Sequence, residues 1–198
     1  MIQLKADDPK SAATFRDCME AGGLAVYPTD TLYGLGVAAD NGAAIKRLER
    51  VKGRGGPFSV MTGSVSGLEK ILLVHQEDRD KIRPMLPGPY AIIGPARFPG
   101  QWHASLLGPD DTLSVRIGNH PWLTRLFADW EKTMITTSAN RTGEPALQSP
   151  GDIAARLSED IDLLIDGGDL APSKGSTMLK IGAGQWQLLR QGDGAWPL

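Results

Sequence analysis

The chain holds a single cysteine, Cys18, so it can form no internal disulfide, and a reducing cytoplasm is its expected setting. In a predicted helix, Cys18 reads as a small apolar filler rather than a nucleophile. The three histidines, His75, His103 and His120, are far apart without ligand spacing, so no protein-bound structural metal is expected. No apolar run approaches the ~18 residues of a membrane span. The first residues, Met1-Ile-Gln-Leu-Lys-Ala-Asp-Asp8, show no signal-peptide pattern. A formal net charge of -2 gives no whole-chain field that would draw nucleic acid. There is no GxxxxGK[ST] segment and hence no P-loop. Gly34-Leu-Gly36 lacks the third glycine of a dinucleotide fingerprint. No paired catalytic carboxylates and no Ser/His/Asp order stand out. An enzyme built from what remains works by positioning and charge stabilisation, without a covalent intermediate.

What is present is an ordinary globular composition, and 198 residues make one domain, 1–198, the default. Helical patterns are expected over 11–21, with Ser11 as cap, over 42–52, with Asn41 as cap, and near 66–73, 77–86 and 121–130. A short helix is expected to start at Ser149-Pro150. Strands are expected at 24–27, 58–61, 90–94, 113–117 and 133–137, then in the tail at 161–165, 176–181 and 185–189. The order βαβα followed by β-rich sequence predicts an α/β fold with a mixed sheet. The Gly- and Pro-rich stretch near 95–110 is the longest irregular segment and a candidate mobile flap.

The densest chemistry lies in Tyr27-Pro-Thr-Asp-Thr-Leu-Tyr-Gly-Leu-Gly36, directly after the apolar run Leu24-Ala-Val-Tyr27. Hydroxyls and a carboxylate need partners when buried, so the segment suits a ligand loop at a strand's C-terminal end; a plain turn capped by Asp30 is the alternative. Among the cations of 46–54, Lys46, Arg47 and Arg50 read as a solvated helix face. Lys52 and Arg54 flank Gly53 past the helix end, a corner that suits phosphate oxygens. Thr136-Thr-Ser-Ala-Asn140 ends a strand in polar side chains, as a ligand site or as an Asx-turn at Asn140. Period-two spacing puts Thr112, Ser114 and Arg116 on one strand face, an anion site or a solvent face. Ser176-Thr177 and Arg190 punctuate the last two strands.

At these residues the chain resembles the YrdC-like threonylcarbamoyl-AMP synthases. Tyr27–Gly36 is similar to that family's opening motif and Lys52-Gly-Arg54 to its Lys-x-Arg. Leu86-Pro-Gly-Pro89, Ser114-Val-Arg-Ile117, Ser138-Ala-Asn140 with Gly143-Glu-Pro145, Asp166-Gly-Gly168, Ser176-Thr177 and Leu189-Arg-Gln-Gly192 follow in the family's order. The resemblance implies an open, twisted, mixed parallel/antiparallel sheet with flanking helices and a concave, positively charged cavity. It implies that L-threonine, bicarbonate or CO2, and ATP with Mg2+ give threonylcarbamoyl-adenylate and pyrophosphate. The product would feed a separate transferase that modifies tRNA. By resemblance Lys52, Arg54, Ser138, Asn140 and Arg190 are assigned to the nucleotide and its phosphates, with Thr112 helping. Thr31, Arg116, Ser176 and the Thr136 backbone would hold threonine. Lys52, Arg54, Ser138 and Asn140 are the expected catalytic set. Two departures stand out: a corner shortened to Gly55-Gly56 before Pro57, and Met61 where relatives often carry a polar residue beside the amino acid. Met61 there predicts relaxed amino-acid preference. Other readings are a paralogue of the same fold that binds RNA or nucleotide without making the adenylate, and a carbamoyl-transfer module. Any tRNA or double-stranded RNA binding is expected to be weak and salt-sensitive.

Overall fold

A computed structural model describes residues 1–182 and 185–196. Ten strands are formed: β1 (Ile2–Lys5), β2 (Ala25–Tyr27), β3 (Gly34–Ala38), β4 (Ser59–Met61), β5 (Tyr90–Pro95), β6 (Thr112–Arg116), β7 (Met134–Ser138), β8 (Leu163–Asp166), β9 (Thr177–Gly182) and β10 (Gln185–Arg190). All belong to one sheet in the order β1-β8-β2-β3-β7-β4-β6-β5-β9-β10. Parallel pairs (β1/β8, β2/β8, β4/β6, β5/β9) are combined with antiparallel ones, so the sheet is mixed as the element order predicts. The helices are α1 (Ser11–Glu20), α2 (Gly42–Lys52), α3 (Val65–Ile71), α4 (Gln76–Ile82), α5 (Pro121–Phe127) and α6 (Pro150–Leu157).

Strand alternation divides the sheet's two faces between different fates. Val26, Leu35, Val60, Ile92, Val115, Ile135, Leu164 and Leu179 point to one face and form the main core with the apolar stripes of α2, α3, α4 and α6. On the opposite face Ala25, Tyr27, Met61, Met134, Leu163 and Ile165 make a second core with Phe15 and Met19 of α1 and Trp122, Leu123 and Leu126 of α5. Aromatic edges lock this cluster: Phe15 meets Tyr27, Trp122 and Trp130 edge-on at 5.0–6.2 Å. That second layer covers only part of its face. The remainder, over β3, β7, β4, β6, β5 and β9, lies open as the concavity described below.

Several local expectations are corrected. β1 is absent from the sequence reading, because three of its four residues are exposed and it shows no apolar face. Ser11 is not a cap: it opens α1, is buried, donates to Ala6 O and accepts from the Trp122 indole at 3.1 Å. Asn41 does cap α2 and Ser149 caps α6. Helix 77–86 ends at Ile82 and gives way to a 3-10 turn, and helix 121–130 ends at Phe127. The 95–110 stretch is tied to the body rather than hanging as a flap. Leu106 is fully buried, Phe58 N–H donates to Ser105 O, and the Ser105 hydroxyl meets Glu49. Gly56 is required there, since a Cβ would sit 1.8 Å from Ser105 O.

Candidate active site

Register places the site. One cross-strand row runs Ala38, Met134, Met61, Arg116, Ala91, Met178, Arg190, so two arginines flank Ala91 and Met178 on one face. A bulge beside Leu189 shifts the β10 register and brings Arg190 opposite Met178. The next row is hydroxylic: Thr136 pairs with Ser59, and the Ser59 hydroxyl lies 2.7 Å from that of Ser114. Small and polar residues on these two rows leave a cavity of about 260 Å³. Its charged lining residues are Arg54, Arg116, Lys174 and Arg190, with no carboxylate among the described residues that line it.

The opening motif builds the floor. Tyr27 belongs to β2 and its ring lies flat over β3. A Cβ at Gly34 would stand 2.7 Å from that ring, and one at Gly36 would meet Ile135 O at 2.6 Å. The two glycines therefore make room for an aromatic ring and belong to a strand, not to a phosphate loop. The Tyr27 hydroxyl donates to Thr136 Oγ1 at 2.8 Å, and burial pushes its pKa up to about 12. Tyr27→Phe should keep the fold and cost about 0.5–1.5 kcal/mol. Thermal melting should register this as a drop of about 2–6 °C; no drop would make the hydroxyl contact inconsequential.

The loop between β2 and β3 delivers Asp30 and Thr31 to Arg116. One guanidinium nitrogen of Arg116 donates to Asp30 Oδ1 at 3.0 Å and to Thr31 Oγ1 at 3.2 Å. Both partners of the ion pair are nearly buried, at 11% and 8% side-chain exposure. Asp30 is thus an ion-pair partner and no turn cap. Arg116 Nε, Asp30 Oδ2 and the Ser176 hydroxyl are buried with no hydrogen-bond partner. Unpaired buried polar atoms are costly, and two of these three residues, Arg116 and Ser176, line the cavity, where a polar ligand can complete the bonding.

Lys52 does not face the cavity. It is 3% exposed, and its ammonium donates to Ser138 O at 2.8 Å, Asn140 O at 2.6 Å and Asn140 Oδ1 at 2.9 Å. Burial, with the Arg54 charge adding, pushes its pKa down to about 8. Asn140 is equally committed: Oδ1 also accepts from the Ser138 hydroxyl, and Nδ2 donates to Glu144 O. Lys52 and Asn140 therefore brace the Ser138-Ala-Asn loop from behind. Arg54 bonds Gly55 O and stacks over Phe58 at 4.8 Å. Arg190 donates to Ser176 O at 2.9 Å; burial and the Arg116 charge lower its pKa.

Other motifs act as pins. Asp166 accepts from Lys5, Gln3 and Gly168 N–H, while the Tyr33 hydroxyl bridges Gly167 N–H and Gly168 O. Gly167 lies so close to Pro28 that a Cβ would clash at 2.8 Å, which fixes the 28–33 loop. Gly88 N–H reaches Ile117 O and Pro89 O takes Thr177 N–H, setting Ser176 at the cavity wall.

Of the ten residues expected in the site, Arg54, Ser138, Arg190, Thr31, Arg116, Thr136 and Ser176 line the cavity together. Thr112 lies in an adjoining apolar cleft of about 320 Å³, formed with Ile93, Leu106 and Leu189 and sharing Pro57, Ser59 and Met178 with the cavity. Lys52 and Asn140 stand outside both. Met61 is fully buried in the second core, with no surface on the cavity, so the ground for relaxed amino-acid preference falls away. Sequence reasoning missed Lys174, although it stands two residues before Ser176, and it gave Asp30 no role in the site.

An open mixed sheet with hydroxyls, arginines and unpaired buried donors on its free half-face defines an α/β protein built to hold small anionic ligands by position and charge. The chain belongs to the Sua5, YciO and YrdC family, described as "Telomere recombination", which it matches over residues 17–192. It is 31% identical over 170 residues to a threonylcarbamoyl-AMP synthase of Chromohalobacter salexigens, covering 84% of this chain and 90% of that one. It is 35% identical over 155 residues to a protein of the same name from Xanthomonas oryzae, covering 74% and 80%. Among solved structures it resembles P. abyssi Sua5 complexed with L-threonine, with a TM-score of 0.83 and 27% identity, covering 96% of this chain but 56% of that one. E. coli YciO shares the fold with a TM-score of 0.87 at 24% identity, covering 98% and 95%.

Proposed function

We propose that this protein is an L-threonylcarbamoyladenylate synthase, joining L-threonine, bicarbonate and ATP into threonylcarbamoyl-AMP with release of pyrophosphate and water. The observation that carries the reading is that Arg116 and Ser176, whose Nε and hydroxyl are buried and unpartnered, line one cavity that adjoins an apolar cleft. The printed names of the relatives and the threonine complex of P. abyssi Sua5 support it.

In this reading Arg116 takes the threonine carboxylate through charge-assisted hydrogen bonds, and Thr31, Ser176 and the Thr136 backbone hold the rest of the amino acid. The base enters the apolar cleft beside Thr112, where burial among Ile93, Leu106 and Leu189 suits an aromatic ring. The triphosphate then spans the cavity over Ser138, between Arg54 and Arg190. Lys52 and Asn140 keep the Ser138 loop in the shape that this requires. The neutral α-amine adds to the carbon of CO2 supplied by bicarbonate, and the proton it gives up joins the hydroxide that bicarbonate leaves behind, as water. A carbamate oxygen bonds to the α-phosphorus as its bond to the bridging oxygen breaks, and that electron pair leaves on pyrophosphate. No protein nucleophile is needed: alignment of two bound reactants supplies a large part of the rate, and fixed cations stabilise the developing charge. Since no carboxylate lines the cavity among the described residues, magnesium enters on the ATP phosphates as part of the substrate. The setting is cytoplasmic, and a separate tRNA threonylcarbamoyl transferase consumes the product.

Incubation with ATP, magnesium, bicarbonate and single amino acids tests this. Pyrophosphate should appear, with the adenylate detected by mass, only when threonine and bicarbonate are both present. Folded protein that binds ATP yet forms no adenylate with any amino acid would be a non-synthase paralogue.

A further inference from the structure

We infer that Lys174 is a ligand of the terminal phosphates of the nucleoside triphosphate, and of the pyrophosphate that leaves. The inference rests on the nucleotide-binding reading above. The other cations of the site each have a protein partner, which the arginines keep while their remaining N–H groups face the ligands. Lys52 is spent on three loop acceptors, Arg116 is paired with Asp30, Arg54 holds Gly55 O above the Phe58 ring, and Arg190 holds Ser176 O. Lys174 lines the same cavity, and among the described residues its ammonium has no hydrogen-bond or ion-pair partner. It is exposed, whereas Ser176, two residues on, is buried at the cavity wall, so Lys174 stands at the mouth above the amino-acid end.

Its backbone is fixed independently of its side chain. Asp193 accepts from the Ser173 hydroxyl and from Lys174 N–H at 2.9 Å, while Asp193 N–H donates to Gly175 O. Asp193 is the nearest carboxylate of this turn and is consumed by holding it. Gly175 has φ +78°, which only glycine adopts readily, and Gly192 presses so close that a Cβ there would stand 2.1 Å from Gly175 O. A lysine on a turn held this way presents a compact, rotatable donor where the triphosphate's far end emerges. The α-phosphate must lie deeper, beside the amino acid, and the base lies in the cleft; the distal phosphates are what remains for the mouth.

Calorimetric titration of wild type, Lys174→Ala and Lys174→Arg with ATP, pyrophosphate, AMP and threonine tests the assignment. Lys174→Ala should bind ATP and pyrophosphate about ten-fold more weakly, AMP and threonine within about two-fold of wild type, and Lys174→Arg should recover most of the loss. Because the ammonium makes no hydrogen bond or ion pair among the described residues, melting should be unchanged. Wild type that binds ATP with Lys174→Ala unaltered, or with AMP weakened as much as ATP, overturns this inference alone. Wild type that binds no ATP overturns the nucleotide reading and this inference with it.

Discussion

Lys52→Met should abolish adenylate formation and lower the melting temperature by about 10 °C, although its ammonium never reaches the cavity. The substitution keeps the stem's volume and strands Ser138 O, Asn140 O and Asn140 Oδ1. Orphaned buried acceptors cost about 1–3 kcal/mol each. Relief from burying an ammonium offsets part of this, for a net loss on the order of 3 kcal/mol and, in a chain this size, a shift near that estimate. Lys52→Arg separates bracing from direct phosphate contact. A planar guanidinium cannot point three donors from one nitrogen at converging acceptors, so arginine should fail to rescue. Recovered activity in Lys52→Arg would make residue 52 a phosphate ligand. The pH profile gives a second readout. With the folded pKa near 8 against an ordinary 10.5, activity should fall as pH rises through about 8, because a neutral amine has two donors for three acceptors. Over the same window the unfolded state binds more protons, so the Lys52 contribution to stability should rise with pH. The two trends run in opposite directions, and Lys52→Met should show neither.

Arg116→Ala carries the other large effect. It leaves the Asp30 carboxylate buried without its partner, and breaking such a pair by removing one member costs about 3–5 kcal/mol. Threonine-dependent pyrophosphate release should vanish, while the folded fraction still binds ATP. Arg116→Met combined with Asp30→Asn removes both charges and should regain most of the stability without regaining turnover. If the double variant also regains turnover, Arg116 serves the fold alone. If Arg116→Ala leaves the threonine dependence intact, the carboxylate site lies elsewhere.

The sequence was most readable where chemistry and local order coincide. Arg116 was legible on a strand face because strand alternation decides which face a residue takes, whereas Arg190 follows the expected strand 185–189 and a bulge, not alternation, brings it opposite Met178. Lys52 and Asn140 were recognisable as a motif but not as a brace, since their side-chain directions depend on how the 138–140 loop folds back onto the end of α2. The strand-like context of Gly34-Leu-Gly36 was legible in the sequence, but why glycine stands there was not: the reason is the packing of the Tyr27 ring over β3. β1 gave no signal because its partner β8 lies some 160 positions away, and the pairing rests on that partner and on Asp166 reaching Lys5. The 95–110 stretch lacks periodicity, so the anchors at Gly56 and Glu49 were invisible without the fold.

The order of strands also sets when the site comes into being. Ser176, Met178 and Arg190 all lie on or beside β9, which docks on β5, and β10, which docks on β9; among the described strands these come last in chain order. During synthesis the chain emerges from its N-terminus. The centre of the sheet can therefore close while β5, with Ala91, Ile92 and Ile93, still presents a bare apolar edge of the kind that invites wrong pairing. Threonine and ATP can stabilise only the finished fold, because until β9 and β10 arrive the cavity lacks Ser176, Met178 and Arg190. The protein's exposure to misassembly thus falls in the interval between completing β6 and docking β9, and its ligands can act as stabilisers only after that interval has closed.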